Sequence, residues 1–456
     1  MTLLGQDPQP RGREATSHRP PDVVTSAPRT IVIASALRRT ASRAFALGLP
    51  HYLLSILAIQ GTAYAAQFVM ARMLGPGDFG IVRSVEAVVA IALVFGAAGM
   101  PSLAIKSVAE APDTGARGRV LLRLLTLGVA VSLATAAVVS VAGGWFFDAT
   151  VTSYLRAVVW LIPISVIART ALNYYQGIKS VHRVSLLAAC MSVVSLLVVV
   201  VLVARWHLAG WVLARYASEA LLATTLLWTV RAVLRSRSTA SAEFSYGNLL
   251  HLGMAIAGSL LVRTFIDNMG VLVMGVAGVA KSDIGYFGIA SLIASALMLV
   301  PGALANLSLP AIIESLRARH LAERVTWRLL GASMAFSIPI LVALLWLAPA
   351  VTPILAPAYV PGLPVIRVLL LAVPLRVATS IAGAVLLASG RVHSTLVLNA
   401  LTLGVGMTVF LAFIPRYGAT GAAYGTVFME LFSSLCYLTW AARTLRRLPT
   451  ATRAIA

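Results

Sequence analysis

Ionisable residues sit where a membrane should not tolerate them. Arg156, Arg169, Arg215, Arg263, Arg367 and Arg376, together with Glu86, Glu219, Asp267 and Glu430, fall inside otherwise apolar stretches. A charge at mid-bilayer depth costs about 2.5–3.5 kcal/mol on insertion scales, so each needs a partner or a polar cavity. Arginine stays charged at any physiological pH and offers a planar fork of donors. The chemistry it suits is binding and releasing anions, not proton transfer. Arg263 and Asp267 are four residues apart, on one helix face, and can pair. Arg215 and Glu219 have the same spacing. Glu430 has no basic residue at the matching position, so its partner must come from another helix or it must be protonated. Arg156 and Arg367 lie near the ends of their stretches and can extend to the interface, as can Arg169. Two readings stay open for the central charges: ion pairs that fix helix packing, or groups that line a path.

The elements that must position these side chains are transmembrane helices. The chain has 456 residues, 59% of them hydrophobic and 11% charged, with mean hydropathy +0.90. A soluble chain carries about 25% charged residues. Twelve apolar runs of about 20 residues are long enough to span: 49–71, 84–104, 121–143, 153–172, 184–204, 209–230, 249–276, 285–309, 328–348, 364–388, 395–414 and 419–441. Lys and Arg concentrate in the two tails and the even-numbered links. The opposite links hold only Arg72, Arg83, Arg205, Lys281 and Arg416. By the positive-inside rule both termini are cytoplasmic. Trp145, Trp206, Trp211, Tyr359 and Tyr417 fall near expected outer ends, and Trp228, Trp327 and Trp440 near inner ones, as in interfacial belts. The net charge of +21 is spread between apolar spans without a nucleic-acid-binding signature, so no nucleic acid partner is expected.

The second half repeats the first. At an offset of 211 residues, Arg156 falls on Arg367, Pro163 on Pro374, Val181-His182 on Val392-His393, Arg205 on Arg416, Gly210 on Gly421 and Glu219 on Glu430. Nearer the start, Phe79-Gly80-Ile81 falls on Phe287-Gly288-Ile289. Chance matches of Leu and Val are cheap in apolar sequence; aligned Arg, Pro, His and Glu are not. Six spans per repeat give both halves the same orientation, related by an axis along the membrane normal. The expected organisation is a disordered cytoplasmic tail (1–30), a basic amphipathic interfacial segment (31–48) lying on membrane lipids, a six-helix bundle (49–230), a cytoplasmic linker (231–248), a second bundle (249–441) and a basic tail (442–456). Cys190 and Cys436 fit no metal or redox spacing and are expected to be free, buried thiols. No metal-ligand cluster and no phosphate-cradling glycine loop appears in the sequence, so neither an enzyme nor a resident cofactor is expected.

Ala71-Arg72-Met73-Leu74-Gly75-Pro76-Gly77-Asp78-Phe79-Gly80 reads as a tight hairpin between spans. Gly75 suits the left-handed end of a helix, Pro76 stops it, and Asp78 can cap the next. Gly275 to Gly288 is the counterpart, with Asp283 as the expected cap. This "AR-x-LGP-x-DFG" hairpin resembles the first-hairpin signature of the polysaccharide-transporter branch of the multidrug/oligosaccharidyl-lipid/polysaccharide (MOP) exporter superfamily. So do "FIDNMGVLVMGVAGVAKSDIGYFGIA" (265–290), "APAYVPGLPVIRVLLLAVPLRVATSIAGAVLLASGR" (356–391) and "IPRYGATGAAYGTV" (414–427). In order, they cover most of residues 49–441. The resemblance is to Wzx-type oligosaccharide flippases. Lipid II flippases are similar but usually carry two further spans.

What the resemblance implies is an all-α polytopic membrane protein with twelve transmembrane helices, two parallel six-helix repeats forming a V-shaped transporter. It would move an undecaprenyl-pyrophosphate-linked oligosaccharide outward across the bacterial cytoplasmic membrane by alternating access. The first and seventh spans would face the cleft. Arg263 is then the leading ligand for the diphosphate, oriented by Asp267, with Arg376 and Arg83 (at the outer mouth) as further cations. Asn268, Thr264, Gln60, Thr62 and Gln67 would meet sugar hydroxyls. Glu86, Arg215, Glu219 and Glu430 are assigned to ion coupling, to an H+ or Na+ gradient, or to structure. A polymerase and other polysaccharide assembly proteins are the expected protein partners. Two alternatives are carried: a multidrug or metabolite antiporter of the related branch, and a non-transporting membrane component of a polysaccharide assembly complex.

Overall fold

The chain folds, in a computed structural model, wholly into helices and turns among the residues it describes, 49–178, 180–236, 245–316 and 319–447. The expected tail 1–30, the amphipathic segment 31–48, the centre of the linker (237–244) and the end of the basic tail (448–456) lie outside them. The helices are α1 (Leu49–Ala97), α2 (Met100–Glu110), α3 (Thr114–Phe146), α4 (Ala149–Val159), α5 (Ile162–Gly177), α6 (Val181–Arg235), α7 (Tyr246–Val276), α8 (Lys281–Leu297), α9 (Leu299–Ser315), α10 (Arg319–Leu355), α11 (Leu363–Leu370), α12 (Ala372–Ala388) and α13 (Val392–Arg446).

Among the described residues seven stretches are long and apolar enough to cross a membrane, and the pair α4–α5, bent by 44°, makes an eighth. Three of the seven contain helices folded back on themselves. In α6, Ser195 Oγ donates to Ser218 Oγ at 2.9 Å although 23 residues separate them; on a straight helix they would be roughly 35 Å apart. In α13, Tyr437 Oη donates to Asn399 Oδ1 at 2.8 Å across 38 residues. In α1 the reversal is at Gly75 (φ 74°), followed by Pro76, as the sequence predicts. With α8–α9 as one further pass, the arrangement accommodates twelve.

The duplication is visible in the backbone irregularities. The fold-back in α6 is at His207 (φ 46°, ψ −125°), and in α13 at Gly418 (φ 54°, ψ −130°). These positions are 211 apart. A histidine holds there a backbone shape that glycine adopts freely, so the geometry belongs to the repeat and not to the residue. Beside each fold-back lies the conserved-offset glycine. A Cβ on Gly210 would overlap the Leu202 carbonyl, and one on Gly421 the Phe413 carbonyl; both neighbours are again 211 apart. The break between α4 and α5 at Trp160 maps onto that between α11 and α12 at Leu371.

Within the first repeat α5 packs on α2, α3 and α6, and within the second α12 and α7 pack on α13. Small residues let helices approach closely where lipid is as apolar as leucine: Ala168 and Ala171 of α5 meet Ala223 of α6. The two repeats touch where Gly99 meets Gly253, and again at the end bearing the 72–83 hairpin. There a Cβ on Gly80 would overlap the Lys281 carbonyl, and a Cβ on Gly285 the Pro76 carbonyl. Tyr359, 1% exposed, reaches from the second repeat to donate to the Ala71 carbonyl at 2.9 Å.

Two local expectations are corrected. Asp283 does not cap α8; the cap position is Ala280, and Asp283 lies inside the first turn, its carboxylate beside Gly418. Gly278 (φ 68°) turns the chain two residues before Ala280, so the helix starts three residues ahead of the expected cap. Cys190 and Cys436 are free, but Cys190 is exposed and not buried.

Candidate functional site

The central charges of the second repeat converge. Asp267 is held by its own helix neighbour: Arg263 Nη2 lies 3.1 Å from Oδ1, and Nε donates to Oδ2 at 3.2 Å. The pairing uses two donors of the fork on two carboxylate oxygens, and both side chains are nearly half exposed to the interior cleft (47% and 40%). Arg376 of α12 donates through Nε to Glu430 Oε1 of α13 at 2.6 Å. Its Nη2 stands 4.0 Å from Asp267 Oδ1. The result is an alternating row, Arg263–Asp267–Arg376–Glu430, drawn from three helices. Glu430 has the partner that its own helix does not supply, and its side chain is only 4% exposed.

This row forms one wall of a cavity of about 370 Å³. The first repeat contributes Tyr64 and Arg83, both from α1 on either side of its hairpin. Arg83 lines the cavity from just past the first hairpin. Its stem crosses Gly288, where a Cβ would collide with Cγ. One of its nitrogens approaches Glu86 at 3.4 Å, while Nε is buried without a hydrogen-bond partner. Asn268 lines the cavity and donates to the Thr264 carbonyl at 2.8 Å. The lining is completed by Phe287, Ser291 and Ser295 of α8, and by Thr379, Ser380 and Thr426, each about one turn from Arg376 or Glu430 on its own helix. The hydroxyls of Thr379, Ser380 and Thr426 donate back to their own helices and present lone pairs to the cavity.

So Arg263, Asp267, Asn268, Arg83, Arg376 and Glu430 come together. Thr264, Gln60 and Gln67 do not line the cavity. Thr264 turns its hydroxyl to the Leu260 carbonyl at 2.9 Å, and Gln60 is exposed. Tyr64, on the same helix face as both glutamines, is the residue of that span that reaches the cavity. Glu86 does not line the cavity but contacts Arg83. Arg215 and Glu219 lie elsewhere, in the first repeat, and the pair their spacing predicts is not formed. Arg215 Nε is buried without a hydrogen-bond partner. Arg169 of α5 stands within electrostatic reach of both residues. Tyr64 and the serines of α8 escaped the sequence reading. Their only signal was position: Tyr64 lies four residues after Gln60 and three before Gln67, and Ser291 and Ser295 are one turn apart.

The cavity can hold an anion between guanidinium groups of both repeats, beside hydroxyl and amide groups suited to a polar attachment. Among the described residues no cluster of His, Cys, Asp and Glu could hold a metal ion.

Solved structures with the same fold are transporters. An inward-facing multidrug resistance transporter of the MATE family, in the MOP superfamily, superposes with TM-score 0.70 at 14% identity, covering 89% of this chain and 100% of the other. The lipid II flippase MurJ in an inward closed conformation gives 0.71 at 12% identity, covering 85% and 87%. A MOP superfamily transporter from Pyrococcus furiosus gives 0.58 at 14% identity, covering 87% and 95%. No curated protein matches the sequence. Residues 69–359 match the model of one family, described as polysaccharide biosynthesis protein. That stretch is well over half of the chain and runs from the first hairpin through Tyr359. This multi-pass, all-α membrane protein therefore belongs to the polysaccharide biosynthesis protein family, with the fold of MOP-superfamily transporters.

Proposed function

We propose that this chain is a flippase that carries an undecaprenyl-pyrophosphate-linked oligosaccharide across the bacterial cytoplasmic membrane, inner leaflet to outer, for surface or exopolysaccharide synthesis. The observation that carries the reading is the convergence of Arg83, Arg263 and Arg376 on one cavity between the repeats. A diphosphate suits such a site because several guanidinium forks can share its charge. Asp267 and Glu430 balance Arg263 and Arg376, and Glu86 balances Arg83, so an anion is exchanged against Asp267 and can leave again. Coupling to an H+ or Na+ gradient would act through Asp267 and Glu430. Basic links and tails support cytoplasmic termini, which makes the packed hairpin end the outer one. The chain is more similar to inward-facing and inward closed relatives (0.70 and 0.71) than to an outward-facing one (0.61), which supports a state closed on that side. A polymerase that consumes the delivered unit is the natural protein partner.

The likeness to a multidrug transporter favours a second reading, export of a drug or metabolite. One cell-based experiment separates the two. A strain lacking this chain is expected to lose its surface polymer and accumulate the lipid-linked precursor, with both restored on complementation. Unchanged polymer with lowered drug resistance would support antiport and overturn the flippase.

A further inference from the structure

The end of the molecule bearing the hairpins is closed by contacts that all run between the repeats. Phe147, at the end of α3, lays its ring on Gly275 of α7, where a Cβ would come within 2.7 Å of the ring. The next residue, Asp148, caps α4 by accepting from the Val151 N–H at 2.9 Å. Its other carboxylate oxygen takes Lys281 Nζ at 2.7 Å. Lys281 opens α8, and its carbonyl lies against Gly80 of the first hairpin. The Tyr359 hydrogen bond to Ala71 closes the same end from the far side.

These contacts differ in kind. The glycine and tyrosine contacts are neutral: backbone against backbone at Gly80 and Gly285, a ring on Gly275, and a hydroxyl on the Ala71 carbonyl. The Asp148–Lys281 bridge is the charged tie among them, partly exposed (Asp148 48%, Lys281 24%). Burial would raise the Asp148 carboxyl, but the hydrogen bonds from Lys281 and Val151 outweigh it and hold the group below its ordinary range. It is ionised at neutral pH. Arg83 of the cavity packs on Gly288, about two turns along α8 from Lys281, so on the alternating-access reading anything leaving outward parts these residues.

We propose that Asp148 and Lys281 form the outer latch of the transport cycle, an ion pair between repeats that is intact when the cavity faces the cytoplasm and breaks when it opens outward. This rests on the alternating-access reading above, but not on the identity of what is carried. Asp148 suits the role because its capping bond fixes its position in the first repeat whether or not Lys281 is in place. The bridge is solvent-reachable, so water can take over both charges when it opens, and the cost of opening stays small. A buried pair at this place would hold the gate shut.

The test reads accessibility and not transport. Ser295→Cys, in a background with Cys190→Ser and Cys436→Ser, places one thiol in the cavity. Intact cells or spheroplasts are treated with a membrane-impermeant maleimide. With the native latch, labelling from outside is expected to be slow. Asp148→Lys, which sets two cations together, is expected to raise the labelling rate several-fold. The swap Asp148→Lys/Lys281→Asp is expected to return it to the native rate, which a merely misfolded variant would not do. Equal labelling in all three, or a swap that labels as fast as Asp148→Lys, would overturn the latch. If labelling follows the latch while polymer export is absent from all strains, the latch stands and the substrate reading falls.

Discussion

Replacing Arg263 with alanine is expected to abolish glycan export while the amount of folded protein stays near that of the parent. The two halves of that expectation come from different parts of the geometry. Arg263 is nearly half exposed to the cleft, and pairs of that kind are worth about 0–1 kcal/mol. Its loss does not strand Asp267, because Arg376 Nη2 remains 4.0 Å away. Folding therefore loses little. Anion capture loses the one guanidinium of the row that is not also committed to a buried acid. Arg263→Lys is expected to retain part of the export, since it keeps the charge and loses the fork. The double change Arg263→Ala/Asp267→Ala is expected to fold normally and still fail to export. Export by that double variant would make Arg263 a packing residue.

Arg376→Ala is expected to behave differently. Glu430 is only 4% exposed on its side chain and takes a 2.6 Å bond from Arg376 Nε. Removing the cation leaves an uncompensated carboxylate in the interior, a change that costs about 3–5 kcal/mol. The monodisperse yield after detergent extraction is expected to fall severalfold or more. Arg376→Met/Glu430→Leu, which removes both charges and keeps the volume, is expected to recover the yield without recovering export. A normal yield for Arg376→Ala alone would show that Glu430 is neutral or wet, and would remove Arg376 from its structural role.

The contrast between these two arginines shows how far the sequence reaches. The spacing of Arg263 and Asp267 was enough to predict their pairing, because four residues on one helix fix a shared face. Glu430 without a local cation predicted a partner from another helix, and the offset of 211 predicted where the second repeat would fold. It did not name Arg376 as that partner. Tyr64, Ser291 and Ser295 were not legible, for a physical reason. In a lipid-facing bundle the outer surface is as apolar as the core, so no hydrophobic stripe marks the inward side of a helix. Gln60, Tyr64 and Gln67 share a face on sequence grounds, and only the packing against the second repeat decides that Tyr64 enters the cavity. Arg215 and Glu219 do not pair although their spacing is right, because a shared helix face brings two side chains within reach without fixing the rotamers that close the bond. His207 carries no mark in the sequence; its likeness to Gly418, its mate at the 211 offset, is one of backbone shape and shows only in the structure.

The central claim, that the cavity between the repeats carries a lipid-linked anion across the bilayer, is tested most directly in proteoliposomes. The purified chain is reconstituted with an undecaprenyl-diphosphate oligosaccharide confined to one leaflet, and its arrival in the other leaflet is followed by accessibility to an added glycosidase or lectin. The account predicts movement by the parent chain at a rate well above protein-free vesicles, and a rate close to background for Arg263→Ala. Equal movement by parent and Arg263→Ala, or no movement of the lipid by a parent chain that instead exchanges a cationic drug, would contradict it.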